Sequence, residues 1–350
     1  MEIALFMNTH GLGRRDDHDW FLQPTPATEL RPVQIAQRAE RHGFHSLWFS
    51  DHVTLPLTSE SGHVANPESR TRAYPPRPTM MDGAVVMGAI AAATERIKMS
   101  PSVLIAPYRG PLNDARQFAT VDVLSNGRLI LGVGAGWAKE EFDALGLDHD
   151  ARGEATEECI EIYKRSWMND VVGFQGKHYR FENLSMDPKP VQKPRPPIIF
   201  GSISPAGARR AARFCDGFFP IFLDPHSDPQ RYTREQEIIR REAEALDKDL
   251  SDFWMIGCQS THITGPDHGD AQRSPRWTNS GTAEQVLEDL QAFAAAGYGL
   301  MILHFDCPSG SVDELEEQID RAGEEILPAA KGIQAAGEWK KDYETITPRL

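Results

Sequence analysis

The chain has 350 residues, 40% of them hydrophobic and 25% charged. That is ordinary globular composition and excludes a disordered or fibrous protein. Thirty-seven basic residues against 51 acidic ones give a net charge of −14, a field that repels polyphosphates and argues against nucleic acid or an anionic membrane as a partner.

No apolar run approaches the roughly 18 residues of a membrane span. The opening residues, Met1-Glu2-Ile3-Ala4-Leu5-Phe6, read as a first strand and not as a secretory signal. Cys159, Cys215, Cys258 and Cys307 are widely spaced with no C-x-x-C pair. They are expected to be buried thiols in a reducing compartment, which places the protein in the cytoplasm.

Along the chain, eight short aliphatic runs are each followed by an amphipathic segment. Strands are predicted over 3–8, 46–50, 97–105, 129–133, 198–201, 216–222, 253–263 and 299–305. Their nearly continuous apolar character suits parallel strands covered on both faces. The intervening helices carry their own punctuation. Thr28 is a candidate cap for a helix ending at Gly43. Pro111 suits a first helical turn, and that helix stops at Ser125-Asn126-Gly127. Ser204-Pro205 pairs a cap with a first-turn proline. Thr282 with Gln285, and Ser311 with Glu314, have capping-box spacing. Cys159, Ile162, Tyr163 and Trp167 recur at helical spacing, as do Leu315, Ile319, Ala322 and Ile326, before Pro328 is expected to end the last helix.

This alternation predicts an α/β fold, a (β/α)8 TIM barrel with inserted loops at its C-terminal mouth. One domain is expected over 1–350, with excursions at 54–79, 171–197 and 264–281 and a C-terminal tail over 329–350. A doubly wound sheet would normally carry G-x-G-x-x-G after its first strand. The sequence there, Asn8-Thr9-His10-Gly11-Leu12-Gly13-Arg14, lacks the third glycine.

Strand ends of such a barrel point into its mouth, where active sites form. His52, directly after the second strand and beside Asp51, is a candidate acid/base near neutral pH. Gly132, Gly134 and Gly136, before Trp137, remove side chains where the fourth strand leaves the barrel, so that a flat ring can approach the backbone. Gly201-Ser202-Ile203-Ser204-Pro205-Ala206-Gly207 leads into a helix N-terminus, a site for an anion. Pro101, inside Ser100-Pro101-Ser102-Val103, marks a bulge in the third strand. No H-x-H, H-E-x-x-H, Walker A or G-x-S-x-G pattern is present, so no metal site is predicted.

Several stretches together resemble the bacterial luciferase-like monooxygenase family of FMN-dependent monooxygenases and F420-dependent oxidoreductases. They are Ala39-Glu40-Arg41-His42-Gly43-Phe44 with the following His45 to His52, Ala93-Thr94-Glu95-Arg96-Ile97-Lys98, and Asp122 through Gly127-Arg128 to Trp137. The match continues through Asp187-Pro188-Lys189-Pro190-Val191-Gln192 and Ser204-Pro205-Ala206, so that its order spans roughly residues 1–220. Bacterial luciferase itself has an arginine at the position of Ala135.

The resemblance implies a cofactor site at the barrel mouth. His52 is its catalytic residue, near the reactive part of the ring. Ser102 and Val103 form a non-proline cis peptide behind the ring, and Gly134, Gly136 and Trp137 a cofactor wall. Ser204 and Gly207, with Gly201 and Ser202 in the same loop, contact a phosphate that Arg152 helps to hold. Asp51 belongs to the same site. The implied activity is that of an oxidoreductase. It either uses reduced FMN and oxygen to oxygenate a small organic substrate or exchanges hydride between coenzyme F420 and that substrate. A separate flavin reductase is implied in the FMN case, and a homodimer in both. The alternative is a flavin-binding carrier or sensor without catalysis.

Overall fold

The computed structural model describes residues 1–7, 9–15, 20–23, 25–56, 79–222, 224 and 226–343. Eight parallel strands make up its main sheet: β1 Glu2–Met7, β2 Ser46–Phe49, β3 Lys98–Pro101 continuing as Leu104–Ile105, β4 Leu131–Gly134, β5 Ile198–Gly201, β6 Gly217–Phe219 continuing as Ile221–Phe222, β7 Trp254–Ile263 and β8 Leu300–Phe305. Each strand pairs with its neighbour in sequence, and β8 returns to β1 with Glu2 opposite Leu300. The circuit closes at β3, whose first half pairs with β2 and whose second half pairs with β4.

Eight helices alternate with the strands: α1 Pro32–His42, α2 Gly83–Ala93, α3 Pro111–Leu124, α4 Arg152–Met168, α5 Pro205–Phe214, α6 Thr233–Ala245, α7 Ala283–Ala295 and α8 Val312–Arg321. The predicted (β/α)8 barrel is therefore the fold. Among the described residues no helix is long and apolar enough to cross a membrane, and all four cysteines are buried thiols.

Most of the predicted punctuation is where the chemistry requires it. Pro111 opens α3, and the Ser204 hydroxyl caps α5 by accepting from Gly207 N–H at 3.1 Å. Thr282 and Gln285 form a complete capping box at the start of α7.

Three helix boundaries differ from expectation. Thr28 lies in a separate 3-10 turn, Ala27–Glu29, and α1 begins at Pro32. A helix running from Thr28 would have put Pro32 beyond the first turn, where its ring clashes and its missing N–H breaks the ladder. Ser311 caps α8, but Glu314 turns to accept from the Ser309 hydroxyl and N–H, so no reciprocal box forms. Pro328 does not end the winding. A π turn over Ala322–Ile326 leads into a short helix, Leu327–Ala330, with Pro328 in its first turn.

Two of the excursions contain strands. The 171–197 segment contains an antiparallel hairpin, Val171–Gln175 with Arg180–Ser185. In 264–281, Ser280–Gly281 pairs with the end of β7. Of 54–79, the stretch 57–78 lies outside the described residues, as does 344–350 of the tail.

The hydrophobic core has two shells. The outer one lies between strands and helices. The inner one fills the barrel lumen with Ala4, Phe6, Trp48, Ile130, Ile199, Phe219, Trp254, Ile256, Cys258, Leu300 and Ile302. Tyr343 from the tail joins this inner shell. Its ring meets Trp254 edge-on at 4.9 Å, and its carbonyl accepts from His45 Nε2 at 2.7 Å and Lys98 Nζ at 3.3 Å. The tail thus plugs the end of the barrel opposite the mouth. Removing so large a buried ring leaves a cavity, so Tyr343→Ala is expected to cost about 3 kcal/mol or more. Denaturant unfolding reads this directly; a midpoint equal to wild type would disprove the plug.

Candidate active site

Twelve of the candidate site residues named from the sequence line one cavity of about 1070 Å³ at the C-terminal mouth. That set is Asp51, His52, Ser102, Val103, Gly134, Gly136, Trp137, Arg152, Gly201, Ser202, Ser204 and Gly207. Their contributing segments are the ends of β2 to β5 and the N-termini of α4 and α5. Parallel strands deliver their C-terminal ends to one face of a barrel, which brings residues 150 positions apart in sequence to one site.

His52 is buried, and its Nδ1 donates to Glu141 Oε2 at 2.7 Å. The other carboxylate oxygen, Oε1, accepts from the backbone N–H groups of Val53 and Thr54 at 2.8 and 3.0 Å. Burial alone would raise the Glu141 carboxyl. Its hydrogen bond and charge pairing with His52, and the Thr54 N–H, more than offset that and hold it below the ordinary carboxylate range. Glu141 therefore stays ionised and acts as the acceptor, so His52 carries a proton on Nδ1.

Asp51 is fixed from the other side. The Arg109 guanidinium grips it with two hydrogen bonds of 2.6 and 2.7 Å. Burial works against the Arg109 charge, but the Asp51 carboxylate outweighs it and raises the guanidinium's pKa. Behind this pair, burial pushes the Asp114 carboxyl up to about 7, opposed by its hydrogen bond from Tyr163.

The Ser102–Val103 peptide is cis, the geometry that the resemblance implies. It lies between the two halves of β3 and aims Val103 across the neighbouring strands. A side chain at Gly134 would lie 2.5 Å from Val103 Cγ2, and one at Gly201 would lie 2.5 Å from Val103 Cγ1. Gly132 is closed by Pro101 O at 2.1 Å and Gly136 by Ile105 Cγ2 at 2.7 Å. The glycines admit β3 and its bulge, and Gly134, Gly136 and Gly201 line the cavity beside it.

At the far end of the cavity two helix N-termini converge. Ala151, Arg152, Gly153 and Glu154 begin α4; Ser204, Ala206 and Gly207 begin α5. The two helices touch so closely that a side chain at Gly153 would strike Arg210 Nη2 at 2.3 Å. Two positive dipole ends, with Arg152 and Arg210 beside them, favour negative charge at this end of an otherwise acidic protein. Arg152 is steadied by its hydrogen bond to His149 O at 2.8 Å. Lys177, from the turn of the hairpin, reaches the same end and pairs with Glu154 at 2.6 Å.

The sequence reading missed Glu141, Arg109, Lys177 and Arg210, and also Phe6, His10, Phe219, Ile221 and His304, most of which line the cavity. The rule that singled out His52, a polar residue at a strand end facing the mouth, applies equally to His304 on β8. Nothing local marks Arg109 or Lys177.

The barrel mouth thus joins a buried, carboxylate-paired histidine to two converging helix N-termini in one cavity. Residues 20–299 match the family model described as luciferase-like monooxygenase, and the chain belongs to that family of flavin-type oxidoreductases. A stretch of 189 residues is 33% identical to an FMNH2-dependent dimethylsulfone monooxygenase of Pseudomonas putida, covering 53% of this chain and 47% of that protein. The chain thus spans about half of that relative's length. An F420-dependent glucose-6-phosphate dehydrogenase of Amycolatopsis mediterranei is 32% identical over 341 residues, 86% of this chain and 94% of the relative. Monooxygenase RslO1 from Streptomyces bottropensis shares the fold, with a TM-score of 0.71 and 19% identity over 94% of this chain and 99% of that one.

Two outcomes test the electrostatics. Glu141→Gln keeps the shape but removes the charge that orients His52, so turnover is expected to fall about a hundredfold while cofactor affinity changes less than threefold. Equal loss of both would mean that Glu141 merely holds the structure. Asp114 ionises less readily folded than at its unfolded value near 3.8. Its contribution to stability therefore declines as pH rises from about 4 to 7. Asp114→Asn should flatten the stability profile across that window, measured by unfolding at each pH.

Proposed function

We propose that the protein is a cytoplasmic FMN-dependent monooxygenase that oxygenates a small organic substrate. The observation that supports this is one continuous cavity joining the His52–Glu141 pair, the Ser102–Val103 bulge and the paired N-termini of α4 and α5. At about 1070 Å³ it matches the upper end of the range for ligand pockets, roughly 300–1000 Å³. It has room for a flavin and a small molecule together.

The residues fit a flavin monophosphate. The Ser202 hydroxyl, the Ala206 N–H and Arg152 hold the phosphate at the helix ends. Gly207 must be glycine, because a Cβ there would lie 2.0 Å from Ser202 Oγ. Val103 and Trp137 flank the ring. His52 receives or delivers a proton through Nε2, with Glu141 and the Val53 and Thr54 N–H groups holding its orientation. Reduced FMN, when bound, supplies the electrons that activate oxygen.

Charge at the anion end favours FMN over F420. Asp148, Asp150 and Glu154 line the cavity beside Arg152. A single phosphate fits among them, whereas the carboxylate-rich tail that follows the F420 phosphate would meet like charges. Hydride exchange with F420 remains the second reading, favoured by the near full-length similarity to the Amycolatopsis enzyme. The flavin reductase that supplies reduced FMN and the homodimer are part of the proposal. Sedimentation of the purified protein reads the dimer.

Titration of the protein with FMN and with F420, followed by oxygen uptake with the reduced forms, tests the assignment. Tight FMN binding with oxygen uptake is expected. Binding of F420 alone would replace it with the second reading, and binding of neither would refute both. Arg152→Glu is expected to weaken FMN binding by tenfold or more, because it reverses the charge at the phosphate.

A further inference from the structure

At the helix end of the cavity, carboxylates and cations face one another. Asp148, Asp150 and Glu154 line it, and so do Arg152, Lys177 and Arg210. The Lys177 ammonium is committed to Glu154 at 2.6 Å, and one Arg152 Nη to the carbonyl of His149 at 2.8 Å. Arg210 is held differently. Its Nε donates to Glu157 Oε1 at 2.8 Å. Glu157 thus grips the guanidinium by its inner edge, and among the described residues neither Nη has a hydrogen-bond partner.

Gly153 fixes where that fork lies. A Cβ at this position would be 2.3 Å from Arg210 Nη2 and 2.9 Å from its Cζ, so the guanidinium occupies the space a side chain would take. Alanine is the better helix former; what glycine adds here is room for the fork. Gly153 is the second residue of α4, and the first N–H groups of a helix are open to an anion. Arg210 comes from α5 and Glu157 from the next turn of α4. Two helices therefore hold one guanidinium beside the place where their N-termini converge. A phosphate that ends a chain carries about −1.5 to −2 charges at neutral pH and three acceptor oxygens. The parallel N–H groups of a guanidinium match two of them.

We propose that Arg210 is a direct ligand of the cofactor phosphate, its two Nη groups closing on phosphate oxygens while Gly153 makes room for them and Glu157 holds Nε. This rests on a flavin-type cofactor placing its phosphate at the N-termini of α4 and α5.

The test compares FMN with riboflavin, the same molecule without the phosphate, titrated by the change in flavin fluorescence. Arg210→Met keeps the aliphatic stem and removes the fork. It is expected to weaken FMN about ten- to a hundredfold and riboflavin less than about twofold. Glu157→Gln cuts the tie between the helices but keeps the guanidinium, and should leave FMN affinity within about threefold of wild type or tighten it. Gly153→Ala should weaken FMN about fivefold in the wild-type chain but add nothing to Arg210→Met, because the group it displaces is already gone. Equal losses of FMN and riboflavin in Arg210→Met, or a loss in Glu157→Gln as large as in Arg210→Met, would reduce Arg210 to a tie between two helices and overturn the assignment. Additive losses from Gly153→Ala and Arg210→Met would overturn the fit between these two residues. Should F420 alone bind, the same variants are read with F420 against its phosphate-free deazaflavin core. Failure of wild type to bind either cofactor would instead refute the cofactor reading.

Discussion

Val103 occupies the space that side chains at positions 134 and 201 would need. Much of the site follows from that exclusion. β3 is split at this point, and its two halves pair with different neighbours. The bulge therefore closes the barrel and at the same time projects into the mouth. Because both positions are glycine, the Val103 side chain can lie across β4 and on to β5 beyond it. The wall presented to a ligand is thus a rigid ridge of main chain and one branched side chain. Such a ridge is held by strands and not by a loop, which is how a barrel keeps a binding surface fixed while its loops vary.

Electrostatics divides the same cavity. The chain as a whole carries a net charge of −14, yet at one end of the cavity two helix N-termini with Arg152, Lys177 and Arg210 offset the carboxylates of Asp148, Asp150 and Glu154. Close partners with poor access to water outweigh a distant field that solvent screens. Glu141 is a buried and Arg109 a half-buried support for His52 and Asp51, so these two residues just past β2 are each fixed by an ionic partner from a different part of the chain. Where His10 and His304 line the cavity, desolvation dominates and holds both imidazoles below their ordinary pKa.

The barrel was legible because its signals are local. Aliphatic runs mark strands buried on both sides, and Thr282, Ser204 and Pro111 announce helix starts through their own side chains. Where a local signal had a competitor, it failed: Thr28 lost to the constraint at Pro32, and Glu314 lost its box to Ser309. The candidate residues from β2 to α5 were found because motif order survives in the sequence. The supporting residues were not, because a contact such as Glu141 with His52 joins positions 89 residues apart and leaves no trace in spacing. The same holds for Gly134 and Gly201. Their identity was visible, but the Val103 side chain that explains it was not.

The seating of Tyr343 beneath Trp254 has a bearing on how the molecule is made. Residue 343 hydrogen-bonds to His45 and Lys98, which belong to the first third of the chain, and the amino group of Met1 is bound by the carbonyls of Ala330 and Ile333. While the polypeptide emerges from the ribosome, the earliest strands must wait for the last described residues before the floor of the barrel is sealed. Apolar lumen that Trp48 and Trp254 line stays open to water throughout that interval. The nascent protein is thus a vessel without a base until residue 343 has been made and seated.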